Sequence, residues 1–187
     1  RVLRPMGRAV HFNEADARPM GRNTRGVRGM KLPDDQEMVG MISVPPEEHD
    51  TMDVLAIAEH GYGKRTALAD YRVQSRGGKG LITLNRTDRT GDLVAIRGVY
   101  GDEDLMLITE NGIMIRTRVA EISTMGRNTQ GVRVIDLRDG DNIADVTRVA
   151  DTDEPEDSAP SEQEAAATNG AMDDDSASDA VEDTDGA

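Results

Sequence analysis

Cysteine and tryptophan are absent from this sequence of 187 residues, and the only aromatic residues are Phe12, Tyr62, Tyr71 and Tyr100. The missing thiols exclude a disulfide scaffold, a Cys-ligated zinc site and thiol catalysis. So few aromatic faces cannot build a platform that stacks single-stranded bases, and any core has to be aliphatic. No stretch approaches the ~18 apolar residues of a membrane-spanning helix, and no charged-then-apolar leader opens the chain, so no membrane partner is expected. Position 1 is Arg rather than Met, as expected of a fragment or a processed product.

Bases are missing from one end. All 22 Lys and Arg lie in residues 1–150 together with 22 of the 36 acids, whereas 151–187 carries the other 14 acids and no base. The formal net charge of −14 is thus a tail on a neutral body. Within the tail, Met172 and Val181 are almost the only large apolar residues. Such a segment cannot bury enough surface to offset its ordering entropy, and disorder is expected over 151–187.

The body repeats. Met20-Gly-Arg-Asn-Thr-Arg-Gly-Val-Arg28 recurs as Met125-Gly-Arg-Asn-Thr-Gln-Gly-Val-Arg133, at an offset of 105. The same offset pairs Gly7 with Gly112, His11 with Arg116 and Ala15 with Ala120. A middle copy lies halfway: Gly61, Arg65 and Ala69 fall on those positions, and Gln74-Ser-Arg-Gly-Gly-Lys-Gly80 falls on the shared element. Three copies of a 51- to 54-residue unit result, at 1–52, 53–103 and 104–150. Each reads as short strands between breakers. In the middle copy the strands are 54–58, 64–68, 80–84 and 93–98; in the third they are 105–109, 113–118, 131–137 and 143–149. Asn111-Gly112 between two apolar runs is a hairpin signal, because both residues tolerate positive φ. No stretch holds helical spacing for three turns. The expected fold is all-β, with propeller-like, four-stranded blades, and about three blades of a larger disk are present. The opening strand of the first blade is expected to lie upstream of Arg1, with further blades.

Acids are also absent from three windows of the body. Residues 17–33 carry Arg18, Arg22, Arg25, Arg28 and Lys31; 71–87 carry Arg72, Arg76, Lys79 and Arg86; 122–135 carry Arg127 and Arg133; none holds an acid. The windows are equivalent segments of the three repeats, so circular symmetry places them at one height as a basic stripe. A polyanion following a curved path needs such a stripe, since Arg and Lys release counterions from phosphates without reading sequence, and Gly admits a phosphate close to the backbone.

The Gly-Arg-Asn-Thr-x-Gly-Val element at 21–27 and 126–132, with Gly61-Tyr-Gly-Lys-Arg-Thr66, resembles the C-terminal domain of the bacterial DNA gyrase A protein over residues 1–150. The family's box, Gln-[Arg/Lys]-Arg-Gly-Gly-[Arg/Lys]-Gly, is matched by Gln74, Arg76, Gly77, Gly78, Lys79 and Gly80, and departs at Ser75. The resemblance implies a β-pinwheel whose neighbouring blades exchange strands. It also implies a DNA-wrapping role: duplex DNA, largely independent of sequence, is bent around the rim so that an ATP-dependent type II topoisomerase introduces negative supercoils. Contacts are expected from Gln74, Arg76, Gly77, Gly78, Lys79 and Gly80, and the path is extended by Arg22, Arg25, Arg28, Arg127 and Arg133, with Lys64 and Arg65. The gyrase B protein and a second gyrase A protein are the partners the resemblance implies, in a bacterial cytoplasmic, chromosome-associated A2B2 enzyme. ATP and Mg would serve that holoenzyme, and no cofactor is expected in this chain.

No catalytic residue is expected here. The family's cleaving Tyr follows an Arg, whereas Tyr62, Tyr71 and Tyr100 follow Gly61, Asp70 and Val99. There is no Gly-x4-Gly-Lys-[Ser/Thr] loop, His11, His49 and His60 are dispersed, and Asp139-Gly140-Asp141-Asn142 reads as a turn, so no metal site is expected. Two other readings remain open: the equivalent domain of topoisomerase IV, a decatenating enzyme whose disk has fewer blades, and a propeller-like protein-interaction scaffold. Against the scaffold stands the absence of acids from the same segment of every repeat.

Overall fold

A computed structural model describes residues 7–149; the tail, 151–187, with its expected disorder, lies outside them. Among the described residues nine strands form in chain order: β1 (Arg8–Ala9), β2 (Asp53–Ala58), β3 (Tyr62–Ala67), β4 (Leu81–Ile82), β5 (Leu93–Val99), β6 (Asp104–Thr109), β7 (Met114–Arg118), β8 (Val132–Arg133) and β9 (Ile143–Val149). The same residues contain no α-helix, only three-residue 3-10 turns. Those at Glu14–Asp16, Leu68–Asp70 and Val119–Glu121 occupy one repeat position. The β6–β7 hairpin turns at Asn111-Gly112, where Gly112 has φ +80° and its N–H donates to Thr109 O at 3.0 Å.

The sheets are out of phase with the sequence repeat. Every ladder is antiparallel, and the sheets run β5-β2-β3-β8, β7-β6-β9 and β1-β4. Four strands are complete only around β2 among the described residues, and there the fourth strand, β8, comes from the following repeat. β4 crosses in the same way from the second repeat to β1 of the first. The two crossings share one hydrogen-bond pattern. Gln74 N donates to His11 O at 2.7 Å as Met125 N does to Arg65 O at 2.8 Å. Thr83 N donates to Gly7 O, and Val134 N to Gly61 O, both at 2.9 Å.

Each crossing needs a bare backbone. At Gly131, φ is +81° and a Cβ would lie 2.5 Å from Gly63 O; at Gly80 it would lie 2.6 Å from Ala9 O. The equivalent Gly26 has φ +74° but nothing within 4 Å. Gly131→Ala is therefore expected to cost about 3 kcal/mol, from strain plus backbone overlap, and Gly26→Ala about 1 kcal/mol from strain alone. Thermal unfolding should show Tm falling by roughly 10 °C in the first and about 3 °C in the second. Equal losses would mean that the close approach is not what selects glycine.

β2 organises the core. Leu55 and Ile57 are fully buried against the third repeat, with Leu105, Leu107, Val119, Ile122, Ile143 and Val146. The alternate residues point the other way: Ala56 and Ala58 pack with Tyr62, Leu84 and Leu93 of their own repeat and with Val39 of the first, and Val54 packs with Leu68 and Tyr71 of its own repeat and with Ile42 and Val44 of the first. Period-two alternation thus buries both faces of one strand. Burying a Leu or Ile stabilises by roughly 2–3 kcal/mol, so a core with two tyrosines and no larger ring suffices.

Candidate nucleic-acid interface

The crossings bring the three acid-free windows side by side. Lys31 N donates to Gly78 O at 2.8 Å and Gly77 N to Gly29 O at 2.6 Å, joining the first window to the second. Asn85 N donates to Thr129 O at 2.9 Å, joining the second to the third. Segments some fifty residues apart in sequence therefore form one continuous strip.

Ion pairing sorts the bases. Arg65 pairs with Asp53, Arg97 with Asp145, Arg116 with Asp104 and Arg148 with Glu103, all outside the windows. Within the windows Arg86 pairs with Asp92 and Arg133 with Asp136. Arg18, Arg22, Arg25, Arg28, Lys31, Arg72, Arg76, Lys79 and Arg127 have no carboxylate partner among the described residues. All of these are exposed except Arg76 and Arg127, which are half-buried. Uncompensated guanidinium and ammonium groups on a continuous strip produce a positive field on a body whose formal charge sums to zero.

Arg22, Arg25, Arg28 and Lys79 stand exposed, as a phosphate contact requires. Two expected contacts are corrected. Lys64 is fully buried, and its Nζ donates to Gly126 O at 2.7 Å, Arg127 O at 2.5 Å and Thr129 Oγ1 at 3.0 Å. All three ammonium donors are used, so none remains for a phosphate. Arg65 is held inside the second crossing, with Nε donating to Ile122 O at 2.7 Å and NH1 pairing with Asp53 at 3.3 Å. His11 does the same at the first crossing, its Nδ1 lying 2.7 Å from Tyr71 O.

The box glycines serve the crossing too. Gly77 N–H is spent on Gly29 O, Gly78 O accepts from Lys31, and Gly80 O accepts from Arg8 NH1 at 3.0 Å. Gln74 uses its backbone N–H on His11 O. Arg76 Nε donates to Asp16 O at 2.7 Å, and Arg127 NH1 to Ile82 O at 3.3 Å with its guanidinium 5.9 Å over the Tyr71 ring.

Arg133 belongs to a cluster that its sequence position did not reveal. Its guanidinium and that of Arg89 lie 5.6 and 5.1 Å from the Tyr62 ring centroid, and both donate to the phenol oxygen. The Arg133 hydrogen bond holds the Tyr62 phenol below its ordinary pKa. Arg89 adjoins Asp88, outside every acid-free window, so charge patterning carried no signal for it. Tyr100 donates to Glu48, a bond that pushes its phenol up to about 12 and makes it a poor nucleophile.

Comparison with known proteins places this arrangement. The family model described as "DNA gyrase C-terminal domain, beta-propeller" matches residues 7–45, 53–99 and 103–150, one stretch per repeat. The DNA gyrase A protein of Haloquadratum walsbyi is 43% identical over 148 residues, covering 79% of this chain and 17% of that protein. Its Staphylococcus aureus counterpart is 44% identical over 147 residues, covering 79% and 16%. The chain thus spans about a sixth of the length of these relatives. A solved DNA gyrase A C-terminal domain superposes with a TM-score of 0.66 at 27% identity, covering 79% of this chain and 49% of that one. The C-terminal domain of a DNA topoisomerase IV gives the same TM-score at 18% identity, covering 79% and 45%, and so shares the fold. Three matched stretches, strand-exchanged sheets and the shared Gly-Arg-Asn-Thr element agree, and the chain belongs to the DNA gyrase C-terminal domain family of β-propellers.

Proposed function

We propose that this chain binds and bends duplex DNA as the wrapping domain of a gyrase A protein. One observation carries the reading: three segments free of acids are hydrogen-bonded edge to edge into a strip most of whose bases lack carboxylate partners among the described residues. Exposed Arg and Lys neutralise phosphates and release counterions without selecting bases. Successive repeats in a propeller-type disk turn such a strip along an arc, and the bending energy of the duplex supplies what sequence preference exists. A gyrase B protein and a second gyrase A protein would complete a cytoplasmic A2B2 assembly, as the gyrase identity of the relatives suggests. ATP with Mg would act elsewhere in it. This chain offers no nucleotide loop, and no group of three His, Asp or Glu among the described residues could hold a metal.

The test is duplex binding by residues 1–150 against 1–187 over a salt series. A steep, sequence-independent slope supports the strip, and no binding by either length overturns it. The 14 tail acids are tethered to the same chain as the bases, which gives them a high effective concentration, and they compete with DNA. Removing 151–187 is accordingly expected to tighten binding at low salt and to change little at high salt. Equal affinities throughout would refute competition by the tail.

A further inference from the structure

We infer that the arginine recurring in the shared element, Arg76 in the second repeat and Arg127 in the third, clamps each repeat to the one before it and acts as a positioning residue for the basic strip. The inference rests on the DNA-wrapping reading and deepens it. Arg76 NH1 donates to Arg28 O at 3.2 Å, and Arg127 NH1 donates to Ile82 O at 3.3 Å. The repeat offsets carry Arg76 onto Arg127 and Arg28 onto Ile82, so one contact is built twice. Each arginine also takes a second anchor on the preceding repeat. For Arg76 this is Asp16 O, 2.7 Å from Nε; for Arg127 it is the face of the buried Tyr71 ring.

A planar guanidinium fork reaches two anchors in fixed directions, which an ammonium cannot imitate. Neither arginine has a carboxylate partner among the described residues, so charge pairing does not explain its placement; the acceptors are main-chain carbonyls of the neighbouring repeat. Beside each clamp runs a crossing bond: Lys31 N to Gly78 O at the first, Asn85 N to Thr129 O at the second. Loss of the clamp therefore loosens the register between neighbouring windows while leaving the number of exposed charges intact. The charge at Arg76 works through geometry rather than as one more phosphate contact.

Arg76→Lys separates the two roles, since it keeps the charge and removes the fork. In the full chain, amide hydrogen exchange at Lys31 and Gly77 should speed up about tenfold, as expected when the side-chain hydrogen bonds that hold the crossing closed are lost. Duplex affinity should fall several-fold with the log–log salt slope unchanged. Lys79→Gln is the converse: its slope should flatten by about 0.9 with exchange at Lys31 and Gly77 unaltered. The inference is overturned if Arg76→Lys exchanges like the parent, or if Arg76→Ala flattens the slope by about 0.9 without faster exchange. Should the parent chain fail to bind duplex DNA, the wrapping reading fails, and the exchange measurement still decides the clamp. Arg127→Lys, read at the Asn85 amide, repeats the test at the second crossing.

Discussion

Replacing Arg22, Arg25, Arg28, Arg72 and Lys79 together by glutamine is expected to weaken duplex-DNA binding by roughly four orders of magnitude near 0.15 M salt. The log–log salt slope should become shallower by about 4.5, since each neutralised phosphate contributes about 0.9. Extrapolated to 1 M salt, parent and variant should converge, because the lost term is counterion release. The fold should survive: all five side chains are exposed and none has a carboxylate partner among the described residues. Surface changes of that kind usually stay within about 0.5 kcal/mol each. Fluorescence anisotropy with duplexes of unrelated sequence, paired with a urea unfolding curve, checks both halves. An unchanged slope in a folded variant would put the DNA elsewhere on the molecule.

The acid-free strip on which Arg22 and Lys79 stand exposed was legible because its signal is local. A window without acids in every repeat can be counted directly, and the offset that aligns the windows also aligns the strands that bring them together. The hairpin at Asn111-Gly112 was visible for the same reason, as φ-tolerant residues between apolar runs. The longer strands of the second and third repeats fall where expected, whereas the expected strands at 80–84 and 131–137 shorten to Leu81–Ile82 and Val132–Arg133. What the sequence leaves open is which sheet a strand joins. Val132 and Arg133 sit in the third repeat by sequence, yet pair with Gly63 and Tyr62 of the second. Periodicity cannot report a partner some seventy residues away. Lys64 is the clearest consequence. Beside Arg65 and after a glycine it reads as a solvated base, and its burial is decided by the Gly126 and Arg127 carbonyls that the crossing delivers. His11 and Arg65 show the converse: one repeat position holds different side chains, and both reach the carbonyl that follows the same 3-10 turn, at Tyr71 or Ile122.

Lys64→Met is expected to lower stability by about 2–3 kcal/mol at neutral pH while leaving the salt slope of DNA binding untouched. The substitution keeps the apolar stem but strips the hydrogen bond from the Arg127 carbonyl, and part of that cost is offset because a charge no longer has to be buried. The Gly126 carbonyl still accepts from Thr129 Oγ1 at 3.0 Å, which is why the loss is not larger. The pH dependence separates this site from the rest. Burial, and then the Arg127 guanidinium, lower the Lys64 pKa from 10.5 to about 8. Between those two values the unfolded chain holds a proton that the folded chain has released, so this site makes the fold more stable as pH rises through the window. Below about pH 8 both states are protonated and the site contributes no pH dependence. Urea midpoints at about pH 7 and about pH 10 should therefore differ between parent and variant, the parent gaining on its variant at the higher pH. Parallel pH profiles would mean that Lys64 titrates as an ordinary lysine. A salt slope flattened by about 0.9, with stability unchanged, would return Lys64 to the residues that touch DNA.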